Sequence, residues 1–264
     1  MVKLIACDID GTLIPYGKTD LPDELFPLVR ALRKKGILFC PASGRQYHSL
    51  RRSFAPVHDE ICYLAENGAA IFGIGGDEAS APLLYKSVFP REVALDLCRD
   101  VMSCPDTDVF ISGVNTTYLC RCGEKVLAHT RNILNNRYEI VDDPHDIPEE
   151  IIKVSAYCNN GVALPFQTLA LRWESVFRTV VSGPMWIDFT LVDKGDGIVE
   201  LCKALGISPG EVAAFGDNWN DLSMLRAVGH PYLMSCADPK LKDLIPTQCD
   251  DPIPVLKAIL ETHT

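Results

Sequence analysis

Two aspartates one residue apart, Asp8-Ile9-Asp10, close a short apolar run and lead into Gly11-Thr12-Leu13. Along a strand, residues i and i+2 project to the same side, so both carboxylates leave the end of one strand together. Adjacent acids repel, and a hard divalent cation is the usual offset. The pair also allows a division of labour, with one carboxylate attacking phosphorus and the other moving a proton. Gly11 lets the backbone turn sharply and approach a ligand. A strand-end turn carrying two solvated acids also fits these residues.

Three further clusters could serve the same chemistry. Phe215-Gly216-Asp217-Asn218-Trp219-Asn220-Asp221 follows a second apolar run and opens a helix. Asp217 sits at the strand end and Asp221 one helical turn later, so this acidic cluster could complete an oxygen-rich site with the first. Simple helix capping by Asp or Asn fits as well. Ala42-Ser43-Gly44-Arg45 joins an apolar run to a helical pattern. A hydroxyl and free N–H groups at a helix start make an anion site, although an ordinary Ser cap has the same signature. Lys194, in Asp193-Lys194-Gly195-Asp196-Gly197, begins another helix and could neutralise a phosphoryl oxygen, or simply face solvent.

Competing motifs fail. The Asp8-x-Asp10-Gly run is no EF-hand, because its glycine falls too early and no glutamate follows at the twelfth position. There is no G-x-x-x-x-G-K-[ST] phosphate loop. Gly73-Ile74-Gly75-Gly76 is followed by acidic residues rather than a helix opening, and reads as a plain turn.

The elements that must position these residues alternate in type. Residues 2–7, 37–40 and 61–65 read as buried strands, with helices over 22–35 and 45–54 between them. That order predicts an α/β fold with a doubly wound parallel sheet. After Asn67-Gly68 the texture changes. Strands are expected over 69–72 and 82–86, a helix over 90–102, then short alternating strands over 107–112 and 116–121. A helix, a strand over 151–157, another helix and two strands about Gly183-Pro184 follow. The first texture returns at Lys194, with a buried strand over 212–215. The expected organisation is a discontinuous core of residues 1–82 and 184–264, with an inserted α+β cap of residues 83–183.

Bulk properties agree. The chain has 264 residues, of which 47% are hydrophobic and 23% charged, enough to bury a substantial core. A net charge of −10 disfavours nucleic acid and anionic membranes as partners. Arg30, Arg33, Lys34, Lys35, Arg45, Arg51 and Arg52 spread over two helices and read mostly as solvated faces. The 11 cysteines are odd in number and irregularly spaced, and several sit in apolar runs, as reduced buried thiols do. With no secretory pattern at the start and no membrane-length apolar run, the expectation is a cytoplasmic protein, monomeric or homodimeric.

The combined motifs resemble those of the haloacid dehalogenase superfamily: DIDGT, the Ser43 turn, the Lys194 segment and GDNWND. The AENGA segment and the position of the insertion are similar to its Cof-type sugar-phosphatase branch. The resemblance implies a Mg²⁺-dependent phosphatase acting on a small phosphorylated molecule through an aspartyl-phosphate. Asp8 matches the nucleophile and a metal ligand. Asp10 matches the general acid/base and contributes its main-chain carbonyl to the metal. Asp217 matches the third ligand, with Asp221 and Thr12 supporting the loop. Ser43, Gly44, Lys194 and Asn220 match the phosphate-binding groups. On the cap, Asn115, Tyr118, Arg121, His129, Arg131 and Trp186 are candidate leaving-group contacts. Two segments depart from the family pattern: Gly195-Asp196-Gly197-Ile198, which adds a charge, and residues 228–237. A phosphosugar mutase and a non-catalytic phosphosugar-binding protein are the rival readings.

Overall fold

The computed structural model describes residues 1–76 and 81–262. Its centre is a five-stranded sheet in the order Gln248–Cys249, His230–Met234, Val212–Gly216, Leu4–Cys7, Leu38–Pro41. All neighbours are parallel. Leu4–Cys7 and Val212–Gly216 are buried throughout, as strands covered on both faces must be. The fold is the expected doubly wound α/β type. From Leu4–Cys7 the chain first adds Leu38–Pro41 on one side and later Val212–Gly216 on the other. The strand order therefore reverses between Leu4–Cys7 and Val212–Gly216, the place where open α/β sheets bind ligands.

The amphipathic helix Leu25–Lys34 turns Leu25, Leu28, Val29 and Leu32 inward. On the other layer the helix Lys194–Leu205 buries Ile198, Leu201 and Cys202. Its start is closed by reciprocal bonds: the Asp196 N–H donates to Asp193 (3.0 Å) and the Asp193 N–H donates to Asp196 (3.1 Å). The additional acid at Asp196 thus caps the helix that carries Lys194. Gly197 permits close packing here, because a Cβ on it would lie 2.8 Å from the Gly68 Cα.

The strand Tyr63–Ala65 departs from expectation. It belongs to a separate three-stranded antiparallel sheet with Ala70–Phe72 and Leu83–Lys86. A bridge between Ala42 and Leu64 and the Cys62 N–H to Phe39 carbonyl bond (3.0 Å) join it to the core. The expected turn after Phe72 runs into Asp77–Ser80, which lie outside the described residues. Between Tyr63–Ala65 and Ala70–Phe72 the backbone is left-handed at three consecutive residues, Glu66 (φ 52°), Asn67 (φ 56°) and Gly68 (φ 97°). Two of these carry side chains, a conformation that costs about 1–3 kcal/mol each and persists only where neighbours impose it. Here Glu66 N–H donates to the Arg45 carbonyl (3.1 Å) and Asn67 N–H to the Ser43 carbonyl (3.0 Å).

A six-stranded sheet forms the remaining layer, in the order Arg178–Gly183, Trp186–Thr190, Lys153–Cys158, Thr107–Ser112, Thr117–Cys120, Tyr138–Val141. It is antiparallel except for its last pair. Trp186–Thr190 lies beyond the expected division at 183/184 yet is hydrogen-bonded into this sheet. Tyr138–Val141 was not foreseen: it is a largely exposed edge strand with no alternation of buried residues. On one face, Val109, Ile111, Val154, Ala156, Ile187 and Phe189 pack against the helices Arg91–Ser103 and Ala163–Trp173. No helix among the described residues is long and apolar enough to cross a membrane.

Candidate active site

The Leu4–Cys7 strand runs directly into Asp8, whose N–H still bonds the Phe215 carbonyl of the neighbouring strand (3.0 Å). Asp217 leaves that neighbour one residue past Gly216. Carboxylate oxygens of Asp8, Asp217 and Asp221 come within 4.8 Å of one another. Two glycines make this approach possible. Gly11 has φ +94°, and a Cβ on it would lie 2.6 Å from the Asp217 Cγ. A Cβ on Gly216 would lie 2.5 Å from the Cβ of Asp221.

Lys194 is fully buried and donates to Asp8 Oδ1 and Asp221 Oδ1, both at 2.6 Å. The other Asp221 oxygen accepts the N–H groups of Asp217 and Asn218, each at 3.0 Å, which fixes the loop between them. Asp217 accepts the hydroxyls of Thr12 (3.1 Å) and Tyr16 (2.5 Å). One ammonium thus faces three buried carboxylates. Burial, reinforced by Asp221, raises the Asp8 carboxyl well above the usual range although Lys194 opposes it. Asp217 is likewise raised, by burial first, with the Tyr16 bond opposing. Burial alone would lower the Lys194 ammonium, but Asp221 and Asp8 outweigh it and hold the ammonium above its ordinary value. An all-oxygen donor set carrying uncompensated negative charge suits a hard divalent cation.

Asp10 stands apart. Its carboxylate is exposed and takes a two-point hydrogen bond from Arg45, Nε to Oδ2 at 2.9 Å and Nη2 to Oδ1 at 2.5 Å. The sequence assigned Arg45 to a solvated face, whereas it fixes the second acid of the pair. Ser43 is buried, and its Oγ accepts the Arg45 N–H (3.2 Å). The expected helix from Arg45 starts only at Tyr47, because Gln46 is extended (ψ 145°). Ser43 therefore closes a turn and does not cap the helix.

Asp8, Asp10, Ser43, Gly44, Asp217 and Asn220 all open onto one cavity of about 370 Å³ between the parallel sheet and the six-stranded sheet. Its far wall carries a polar layer absent from the sequence expectation. Lys153 is buried, bonds the Gly44 carbonyl (2.9 Å) and forms an ion pair with Glu66. Asp188 accepts Ser155 Oγ (2.6 Å) and Asn67 Nδ2 (2.9 Å). Burial lowers the Lys153 ammonium, yet Asp188 and Glu66 more than reverse this. Glu66 is raised by burial against the pull of Lys153. The strict alternation of Lys153-Val-Ser-Ala-Tyr-Cys158 was the available signal, since every second residue is apolar.

Of the six cap candidates, His129 and Trp186 line the cavity. The other four are engaged elsewhere. Tyr118 is buried on the helix-facing side and donates to Glu149 (3.0 Å), with burial and Glu149 pushing its phenol up to about 12. The Asn115 N–H also meets Glu149 (3.2 Å), Arg121 bonds the Asp142 carbonyl (3.2 Å) and Arg131 bonds Tyr138 (3.1 Å). In residues 228–237, Cys236 Sγ meets the Gly11 carbonyl (3.8 Å), which places that segment behind the Gly11 turn.

Known proteins are similar to this chain in sequence and fold. The chain is 27% identical over 241 residues to 5-amino-6-(5-phospho-D-ribitylamino)uracil phosphatase YbjI of Escherichia coli strain K12, covering 89% of this chain and 86% of the relative. It is 25% identical over 257 residues to HMP-PP phosphatase of Klebsiella pneumoniae strain 342, covering 93% and 89%. A crystal structure from Eubacterium rectale superposes with a TM-score of 0.84 at 25% identity, covering 100% of this chain and 99% of the other. The family model described as haloacid dehalogenase-like hydrolase matches residues 5–252, so the chain belongs to the haloacid dehalogenase-like hydrolases.

Proposed function

We propose that this hydrolase cleaves a small phosphate monoester through a covalent aspartyl-phosphate on Asp8, with Mg²⁺ held at Asp8, Asp217 and the main chain of Asp10. The observation that carries this reading is the gathering of Asp8, Asp217 and Asp221 around Lys194 at the ends of two adjacent parallel strands. Relatives named as phosphatases support it.

The chain's own groups divide the work. Asp8 attacks phosphorus in line as the ester oxygen departs. Asp10 gives a proton to that oxygen, then takes one from the water that hydrolyses the acyl-phosphate. Arg45 sets where Asp10 waits. Lys194, Ser43, Asn220 and the Gly44 N–H bind the phosphoryl oxygens, whose charge spreads in a loose transition state. Thr12 and Asp221 hold Asp217 and its loop in place. Mg²⁺, when bound, screens the substrate's charge from Asp8 and polarises a phosphoryl oxygen.

The six-stranded sheet and its two helices act as the cap. On this reading it extends from the end of Leu83–Lys86 to the start of Lys194–Leu205, so Trp186–Thr190 belongs to it. It rests on the core through Lys153 to Gly44, Asn67 to Asp188 and Gln46 to Thr117. These bonds shut water out of the cavity and select the leaving group. The test is phosphate release from a panel of small phosphates, with and without Mg²⁺, in the wild type and in Asp8→Asn. Release that needs neither the ion nor Asp8 would refute the proposal.

A further inference from the structure

Tyr16 belongs to none of the motif clusters, yet its hydroxyl reaches Asp217. The loop that follows Asp10 explains how. Gly11 N–H donates to the Ile14 carbonyl (2.8 Å) and Ile14 N–H to the Ile9 carbonyl (2.7 Å), so residues 9–14 fold back on themselves. A turn closed by Lys18 N–H to the Pro15 carbonyl (3.0 Å) comes next, with Tyr16 at its second position and Gly17 left-handed at its third (φ 82°). This turn brings the Tyr16 ring over Gly11. A Cβ on Gly11 would lie 2.8 Å from the Tyr16 Cζ, as well as 2.6 Å from the Asp217 Cγ. One missing methyl group therefore admits both the acid and the phenol that meets it. Tyr16 is 68% exposed and Asp217 only 4%, so the phenol approaches the buried carboxylate from the solvent side.

The three gathered acids are held in different ways. Asp221 accepts Lys194 on one oxygen and two backbone N–H groups on the other. Asp8 accepts Lys194. Asp217 accepts two hydroxyls, Thr12 on Oδ1 and Tyr16 on Oδ2, and among the described residues no ammonium or guanidinium. Neutral donors orient a carboxylate without cancelling its charge. Each takes one lone-pair site, so both oxygens keep room for a further partner. The last torsion of an aspartate is soft, and a single bond leaves the carboxylate free to rock about it. Bonds to both oxygens fix its plane. The Tyr16 bond is the shorter, 2.5 Å against 3.1 Å for Thr12, and supplies the firmer restraint.

We infer that Tyr16 is a positioning residue for the cation: its hydroxyl holds the Asp217 carboxylate in one orientation and so sets the affinity of the site for Mg²⁺ and its preference for Mg²⁺ over Ca²⁺. The inference rests on Asp217 being a metal ligand, as in the proposed function. Mg²⁺ demands near-ideal octahedral geometry, whereas Ca²⁺ tolerates irregular and two-oxygen carboxylate contacts. A carboxylate restrained at both oxygens suits the first ion and hinders the second. Tyr16 stands on the solvent side of Asp217, so its effect reaches the reaction through the ligand and not through contact with substrate.

The test is titration calorimetry of the metal-free protein with Mg²⁺ and with Ca²⁺, in the absence of substrate. Tyr16→Phe removes the hydroxyl and keeps the exposed ring. Mg²⁺ binding should weaken by about tenfold or more, the scale on which partners that orient a ligand act. Ca²⁺ binding should weaken less, or tighten. Unchanged Mg²⁺ affinity, or an equal loss for both ions, would overturn the inference. In turnover, the Mg²⁺ concentration that gives half the maximal rate should rise by the same factor for ribose 5-phosphate and for p-nitrophenyl phosphate. A rise confined to one of them would place the hydroxyl on the substrate and contradict a positioning role. Failure of the wild type itself to bind Mg²⁺ would refute the metal reading of the site, whereas equal Mg²⁺ binding by wild type and Tyr16→Phe would refute the role of Tyr16 alone.

Discussion

The two walls of the cavity are built on different rules. On the core side, the reacting groups sit at strand ends, where the backbone leaves the sheet. Asp8 and Asp217 follow this pattern, Lys194 reaches them from the first residue of the helix Lys194–Leu205, and Gly11 and Gly216 supply the space. On the cap side, Lys153, Ser155, Asp188 and Trp186 lie within strands and project from one pleated face. Strand ends let three acids converge on one point. A pleated face spreads its groups at regular spacing across the area of a whole leaving group. The difference predicts that core changes affect every substrate alike, whereas cap changes discriminate between substrates.

The largest effect should come from the core. Asp8→Asn should lower kcat at least ~10³-fold on every phosphate, about 4 kcal/mol of barrier, with little change in the circular dichroism spectrum. A substrate-dependent loss would break the comparison. Lys194→Met should be nearly as severe, because it leaves Asp8 and Asp221 buried without their ammonium. Breaking such a buried pair costs about 3–5 kcal/mol of stability, so the melting temperature should fall together with activity. Gly11→Ala should displace the Asp217 carboxylate against which the new methyl group would press. Its expected signature is an activity restored only at raised Mg²⁺, with KM for substrate nearly unchanged.

Cap changes should be smaller and selective. Ser155→Ala removes the 2.6 Å bond to Asp188 and should alter kcat/KM by about tenfold between leaving groups, the scale of a bond to a charged partner. An equal effect on all substrates would place this row with the core machinery. Glu66→Gln should change activity least, and it carries a pH signature in stability. Burial raises the Glu66 pKa from its ordinary 4.5, so the contribution of this group to stability is full below that value. It declines as pH rises through the elevated pKa, because the unfolded chain then loses its proton first. Melting curves should therefore show the variant gaining on the wild type as the pH rises above 4.5, the ordinary value of the group. A constant difference across that range would mean that Lys153 fully compensates the buried charge.

How much the sequence disclosed follows the same division. The clusters at Asp8, Asp217 and Asp221 were legible, because carboxylates where a buried apolar run ends break the local pattern; Lys194 was legible as a helix start that could serve phosphate or face solvent, and its full burial was not. Glu66 and Lys153 were not, because each is a charge whose burial depends on the other, far away in the chain. Glu66 also stands in a left-handed turn that no local preference favours. Arg45 read as one more basic residue because its partner is the exposed Asp10. Tyr63–Ala65 was assigned to the parallel sheet because three buried residues look alike in either sheet, and only pairing distinguishes them. The Trp186–Thr190 strand was divided from its neighbours by a boundary set at Gly183-Pro184, where a hairpin turn imitates a domain junction.

The most direct measurement is acid-quenched single turnover, followed by mass analysis of the tryptic peptide that spans residues 4–18. That peptide should gain the mass of one phosphoryl group, located on Asp8, at times before product release is complete. The gain should vanish in Asp8→Asn and on chelation of Mg²⁺. Full turnover with this peptide unmodified at every time point, or with the phosphoryl group on another residue, would contradict the account.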